Sequence, residues 1–259
     1  MRVFTNVATR RNHNRKGPML RKVNKTALLL LGLLCSQALT AQNSPVHLGR
    51  FDDRKVHFGI QVGYTLSKFD LHYTYDDAIR GTIMGTTSYY SPGFHINEIN
   101  DFRLGDHLNL RLMPGITLIS RDMAFVWSED YTSSHWNYDT HRTVESVYGE
   151  LPMEFKYRAM RYGDFRPYLI TGASWGFDFA SLRKNKNNYD ESIIRLNPID
   201  LRYTMGVGFD FFLPYVKFAI ELKMAFGIID LRVEDDDLYT RSTTDLRSRT
   251  FMLSFTFQG

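Results

Sequence analysis

Apolar residues recur on every second position through most of this chain. From Tyr215 to Asp230, Phe218, Ile220, Leu222, Met224, Phe226 and Ile228 alternate with Lys217, Ala219, Glu221, Lys223, Ala225 and Gly227. A period of two belongs to an extended strand, whose successive side chains point to opposite faces. Val56, Phe58, Ile60, Val62, Tyr64 and Leu66 repeat it, as do Leu108, Leu110, Leu112, Ile116 and Leu118. So do Val147, Leu151, Met153, Phe155 and Tyr157, and Leu169, Ala173, Trp175, Phe177 and Phe179. Leu201, Tyr203, Met205, Val207, Phe209 and Phe211 form another such face, and Phe251, Leu253, Phe255 and Phe257 the last. The stretch from Ser91 to Phe102 is the weakest, with only Phe94 and Ile96 in phase. Eight strands are predicted, and no connection between them has the period of an amphipathic helix.

Most of these runs reach about ten residues, the length a tilted strand needs to cross hydrocarbon. The connections alternate in length. Residues 70–91, 128–143, 180–199 and 231–246 are long and polar, whereas 101–107, 159–166 and 213–216 are short. Short turns on one side and long loops on the other are the pattern of a membrane barrel. The polar face is crowded with Gly59, Gly63, Gly115, Gly172, Gly176, Gly206, Gly208 and Gly227, which suits a narrow interior better than a solvated surface. The large aromatics line the other face. The expected fold is therefore all-β: an eight-stranded antiparallel transmembrane β-barrel of the outer membrane, apolar outward and charged inward. A soluble lipocalin-like barrel is the rival reading. Girdles of aromatics are expected at the two interfaces, with Tyr73, Tyr75, Tyr89, Tyr90, Trp127, Tyr131, Trp136 and Tyr138 at the loop end. Tyr157, Tyr162, Tyr168, Tyr203 and Tyr215 are assigned to the turn end. The chain ends after Phe257 in Gln258 and Gly259, a departure from the terminal aromatic that usually signals barrel assembly.

Charge divides the chain in two. Residues 1–41 carry eight of its 32 Lys and Arg and none of its 28 Asp and Glu, so the net charge of +4 becomes −4 without them. This basic stretch precedes the apolar run Ala27–Cys35 and the small residue Ala41, the anatomy of a cleaved signal peptide. The expected division is a signal peptide at 1–41 and a barrel domain at 42–259, with Met1 and Met19 both open as starts. The basic excess belongs to the leader and gives no case for nucleic-acid binding. Cys35 is the only cysteine, and Leu34 before it argues against lipidation there. The mature chain then has no disulfide and no thiol.

The inward phase carries Arg111, Glu150, Glu154, Lys156, Arg158, Asp178, Arg202, Asp210, Lys217, Glu221 and Lys223. These mixed signs are expected to neutralise one another as a lumen charge network, with a narrow ion path as the functional alternative. A tight 213–216 turn would set Asp210 opposite Lys217. Catalysis is not expected: Ser133, Ser134 and His135 fall in a polar loop, and His57 and His95 have no evident serine. No His/Cys spacing suits zinc. The acidic run Glu234–Asp237 lacks the ligand spacing of a calcium loop, and no glycine loop precedes a helix as phosphate binding requires. No cofactor is expected.

Three segments resemble the PorT family: PGFHINEINDFRLGDHLNLRLMPGITL, ELPMEFKYRAMRYGDFRPYLITG and VGFDFFLPYVKFAIELKMAFGI. RPYLI and FDFFLPYVKF are the more specific parts, and the broader grouping of outer-membrane β-barrels accepts the same segments. The resemblance implies an outer-membrane barrel of Bacteroidota tied to the type IX secretion system, which exports proteins bearing a C-terminal sorting domain. It implies outer-membrane lipid and lipopolysaccharide as surroundings and other secretion components as partners. It transfers no catalytic or ligand residue. A stand-alone small barrel, acting as a narrow channel or an adhesin-like surface binder, is the alternative.

Overall fold

The computed structural model describes residues 47–73, 83–127, 141–181, 196–233 and 243–259, all within the compact unit Pro45–Gly259. Among the described residues a short 3-10 helix, Phe51–Asp53, precedes ten strands. They are β1 (Val56–Tyr73), β2 (Ile83–Tyr89), β3 (Ser91–Arg103), β4 (Leu108–Leu112), β5 (Gly115–Trp127), β6 (His141–Arg158), β7 (Phe165–Asp178), β8 (Ile199–Phe212), β9 (Lys217–Gly227) and β10 (Thr243–Gln258). All pairings are antiparallel.

The ten segments occupy eight ring positions. Both β2 and β3 pair with β5, and both β4 and β5 pair with β6, so each couple lies end to end. Tyr90 is the extra residue that separates β2 from β3, because the β5 register shifts by one across it. Between β4 and β5 stand Met113 and Pro114, and Pro114 has no N–H for the ladder. The predicted loop 70–91 is thus largely strand, with β1 running to Tyr73 and β2 starting at Ile83.

The sheet closes on itself. Starting at His57, cross-strand partners run to Asp101, Arg111, Glu154, Gly172, Thr204, Ala225 and Thr250, and return to β1 at Ser67. The circuit climbs ten residues along β1, the stagger that tilts the strands of a closed barrel. Every residue on it shares one phase of the pleat, so one phase fills the interior. Leu222, Ile60, Phe94, Leu118, Met205 and Leu169 are exposed on the other phase, while Glu221, Gln61, Thr65 and Thr256 are buried.

Packing inside is tight where glycine faces an aromatic ring. Gly208 lies directly opposite Tyr168, and a Cβ there would meet the Tyr168 ring at 2.3 Å. Gly208→Ala is expected to displace that ring and lower stability by about 1–3 kcal/mol. Urea unfolding in lipid vesicles checks this, and the penalty should largely vanish in a Tyr168→Ala background.

Candidate functional site: a filled lumen

The interior is built in tiers along the barrel axis, each supplied by alternate residues of several strands. At the turn end the N-terminal segment folds across the opening. Phe51 stacks on the His57 ring at 4.0 Å and meets Phe212 edge-on, and the His57 Nε2 is 2.6 Å from the Phe51 carbonyl. Arg158 and Arg166 both donate to Asp52 Oδ1 at 2.9 Å. His47 Nδ1 lies 2.7 Å from Asp164, and Arg161 donates to the His47 carbonyl. This segment is a lid made of the chain's own residues.

Burial pushes the Asp52 carboxyl up, but the Arg166 hydrogen bond and the Arg166 and Arg158 charges overrule it and hold its pKa at about 2. A depressed carboxylate pKa stabilises the fold above the unfolded value, and that stability is lost as pH falls through the folded one. The lid is therefore expected to stay shut from pH 8 down to about pH 4 and to loosen only towards pH 2. Asp52→Asn should instead open it at neutral pH. Trypsin cleavage at Arg54 and Lys55, slow in the wild type at pH 8 and fast in the variant, measures the difference.

Above the lid, Lys156 donates to both oxygens of Asp210 at 2.9 Å, and Asn109 donates to Asp101. Lys217 approaches Asp101 at 4.0 Å. Asp210 and Lys217 do not face each other as the short turn suggested. Asp210 is opposite Ala219, and Lys217 is opposite Phe212. The four-residue turn offsets them by two positions, and each finds its counter-ion across the lumen instead.

The central tier turns on Arg111 and Glu221. Arg111 donates to Glu154 and Glu221, each at 2.6 Å. Glu221 also accepts from the Tyr168 hydroxyl at 2.6 Å and from Gln61 at 2.9 Å. Lys223 donates to Glu154 at 3.0 Å and lies 3.4 Å from Glu221. Arg111, Glu154 and Glu221 are all fully buried. Tyr168 thus belongs to the lumen and not to an interfacial girdle, with its hydroxyl held by a carboxylate. Tyr203 lies near the loop end of β8 rather than the turn end, because that strand begins at Ile199 after the long loop.

The next tier holds Arg202, which donates to Glu150 and lies 3.5 Å from Asp200. Arg121 donates to Tyr148 at 3.3 Å and to Ser248 at 3.0 Å. Asp178 is buried as well, and its carboxylate accepts from the backbone N–H of Val147 and Ala180. The loop end is closed by apolar side chains: Phe69, Met123, Phe125, Val144, Leu196, Leu231 and Leu246 pack into one buried cluster. Phe69, Met123, Phe125 and Leu246 come from the inward phase of strands whose lower halves present polar residues there. The sequence signal for this plug was the loss of polarity on that phase beyond Ser67 and Arg121.

Other candidates are placed as follows. His95 Nε2 lies 3.1 Å from Ser254 Oγ, both buried. Among the described residues His95 Nδ1 has no hydrogen-bond partner, so none of them serves as the orienting acid of a triad there. Ser133, Ser134, His135 and Glu234–Asp237 lie outside the described residues, as do Tyr75, Tyr131, Trp136 and Tyr138. Among the described residues no three His, Cys, Asp or Glu side chains converge on a metal position.

A closed antiparallel ring, apolar on its outside and charged within, defines a β-barrel that crosses a lipid bilayer. The match to a family model then names the group: residues 40–232 fit the outer membrane protein beta-barrel domain, and the chain belongs to that family. It is an outer-membrane protein. A comparison with curated proteins finds no match. Among solved structures, the chain is similar to the outer membrane protein OprG from Pseudomonas aeruginosa, at 12% identity and TM-score 0.42, over 79% of this chain and 94% of that one. Neisserial surface protein A is also similar, at 12% identity and TM-score 0.40, over 77% and 95%. So is Ail of Yersinia pestis, at 12% identity and TM-score 0.36, over 80% and 100%.

Proposed function

We propose that this barrel is a non-conducting accessory component of the type IX protein secretion system, needed for export of proteins with a C-terminal sorting domain. The observation that carries the non-conducting part is the filled lumen, with a salt-bridged lid at one end, paired charges through the middle and an apolar plug at the other. An ion path would have to break buried pairs such as Arg111–Glu154 and Arg111–Glu221, and the loss of one partner from such a pair costs about 3–5 kcal/mol. Exported cargo cannot pass through such an interior, so the barrel acts on secretion from its wall, turns and outer loops. The link to this secretion system is supported by the resemblance of residues 92–118, 150–172 and 207–228 to the PorT family. The role is that of a non-enzymatic partner of other secretion components, set in outer-membrane lipid and lipopolysaccharide.

Deleting the gene and taking an inventory of secreted proteins tests the reading. Loss of sorting-domain cargo from the medium is the expected result. Unchanged secretion together with altered adhesion or solute uptake would assign the barrel to the stand-alone class. Purified protein in planar bilayers is expected to show no stepwise conductance.

A further inference from the structure

Among the described residues one ionisable side chain interrupts the apolar band of the outer wall, whereas the outward Thr171 hydroxyl is bonded to Tyr203 at 2.8 Å. On β3 the outward positions, read from the turn end, are Phe102, Asn100, Glu98, Ile96, Phe94 and Pro92. Glu98 is exposed and Asn100 half-exposed, and both interrupt an otherwise apolar band. Their cross-strand neighbours are apolar: Phe58 and Leu112 beside Asn100, Ile60 beside Glu98. This is why the alternation of Ser91–Phe102 looked weak.

The level of Glu98 follows from the stagger. Ten residues around eight positions raise each row by slightly more than one residue per strand. Glu98 therefore lies level with the gap between Ile60 and Val62 on β1, and between Leu112 and Pro114 on its other side. The apolar face of β1 runs from Val56 to Leu66, so Glu98 stands at mid-depth of the band. A carboxylate facing acyl chains at that depth has no donor, and ionisable groups within the membrane are rare outside functional sites. The main chain adds to the deficit. The Glu98 N–H donates to the Pro114 carbonyl at 2.9 Å, but Pro114 has no N–H to return to the Glu98 carbonyl. No side chain among the described residues bonds or pairs with the Glu98 carboxylate.

We infer that Glu98, with Asn100 and the open Glu98 carbonyl, is the docking point for an integral membrane partner that presents a Lys or Arg side chain at mid-bilayer depth. Charge complementarity selects that partner. Lipid tails offer no donor. A second copy of this chain, docked about a two-fold axis, would set Glu98 against Glu98. Among the described strand residues its outward cations Lys68, Arg249 and Arg247 stand at or beyond the loop-end edge of the band, where Lys68 faces Arg249 across β1 and β10. The inference rests on the outer-membrane placement and not on the secretion reading; a partner from outside the secretion machinery supports it equally.

The test uses the full-length protein in its native outer membrane. A photo-cross-linking amino acid replaces Phe58, beside the patch, or Phe209 on β8, diametrically across the ring. Cross-links to another integral membrane protein are expected from position 58 and not from 209. In Glu98→Leu that product should fall about tenfold or more, the loss of one charge-assisted contact. The heat-induced mobility shift of purified Glu98→Leu should hold or rise, since a buried-charge cost is removed. Glu98→Lys should abolish the product, and exchanging the partner's cation for Glu should restore it. Cross-links to lipid or a second copy alone would overturn the inference. So would an undiminished product in Glu98→Leu, or a barrel destabilised by that change.

Discussion

Arg111→Met is expected to lower the folding stability of the barrel by about 3–5 kcal/mol, a collapse on the scale of small domains. Arg111 bonds both Glu154 and Glu221 at 2.6 Å each, closer than Lys223 comes to either. Without it, two buried carboxylates share Lys223 alone, at 3.0 and 3.4 Å, beside donors from Gln61 and Tyr168. Methionine fills the volume but neutralises nothing. The remaining negative charge must protonate or draw in water, and both weaken the tier. Urea unfolding in lipid vesicles measures the loss. Adding Glu221→Gln alone to Arg111→Met should recover part of it, because Lys223 then stays paired with Glu154 at 3.0 Å and no buried charge is left uncompensated. If Arg111→Met unfolds no more easily than Leu222→Ala, the central tier is not the keystone of the interior.

Leu222→Arg should cost about 2–4 kcal/mol in a bilayer. Leu222 is next to Glu221 in sequence, yet it is 54% exposed while Glu221 is fully buried. On a soluble sheet an exposed leucine replaced by arginine would be near neutral. Here the outward neighbours are Val207 and Leu253, and the medium is acyl chain, which cannot hydrate a guanidinium. The same substitution near the band's edge, at Phe251, should cost less because its charge can reach the headgroups. Equal costs at the two positions would mean that this face does not meet hydrocarbon.

Much of the wall is legible along the chain because a barrel strand repeats its environment every second residue. Ile220 and Glu221, or Phe209 and Asp210, declare their faces by polarity alone. The reading fails where an environment breaks that rule. Phe69, Met123 and Phe125 are apolar and inward, because the loop end of the lumen is plugged rather than ion-paired. Tyr168 reads as an interfacial aromatic but covers Gly208 and bonds Glu221, a choice set by the residue across the strand. Asp210 and Lys217 read as a pair across a turn, but the turn length moves them apart. The lid over Asp52 leaves no periodic trace, since nothing repeats in so short a segment.

What the sequence determined by itself was the class and the inversion: strands of membrane length, long and short connections in turn, greasy faces out and charges in. Local periodicity suffices for that, because each residue needs only its own face. What the tertiary structure decided was which charge meets which, how the ends are sealed, and that Glu98 stands at mid-depth with no partner among the described residues. Those depend on register and stagger around the closed ring, which join residues as distant as Gln61 and Glu221 through no local rule.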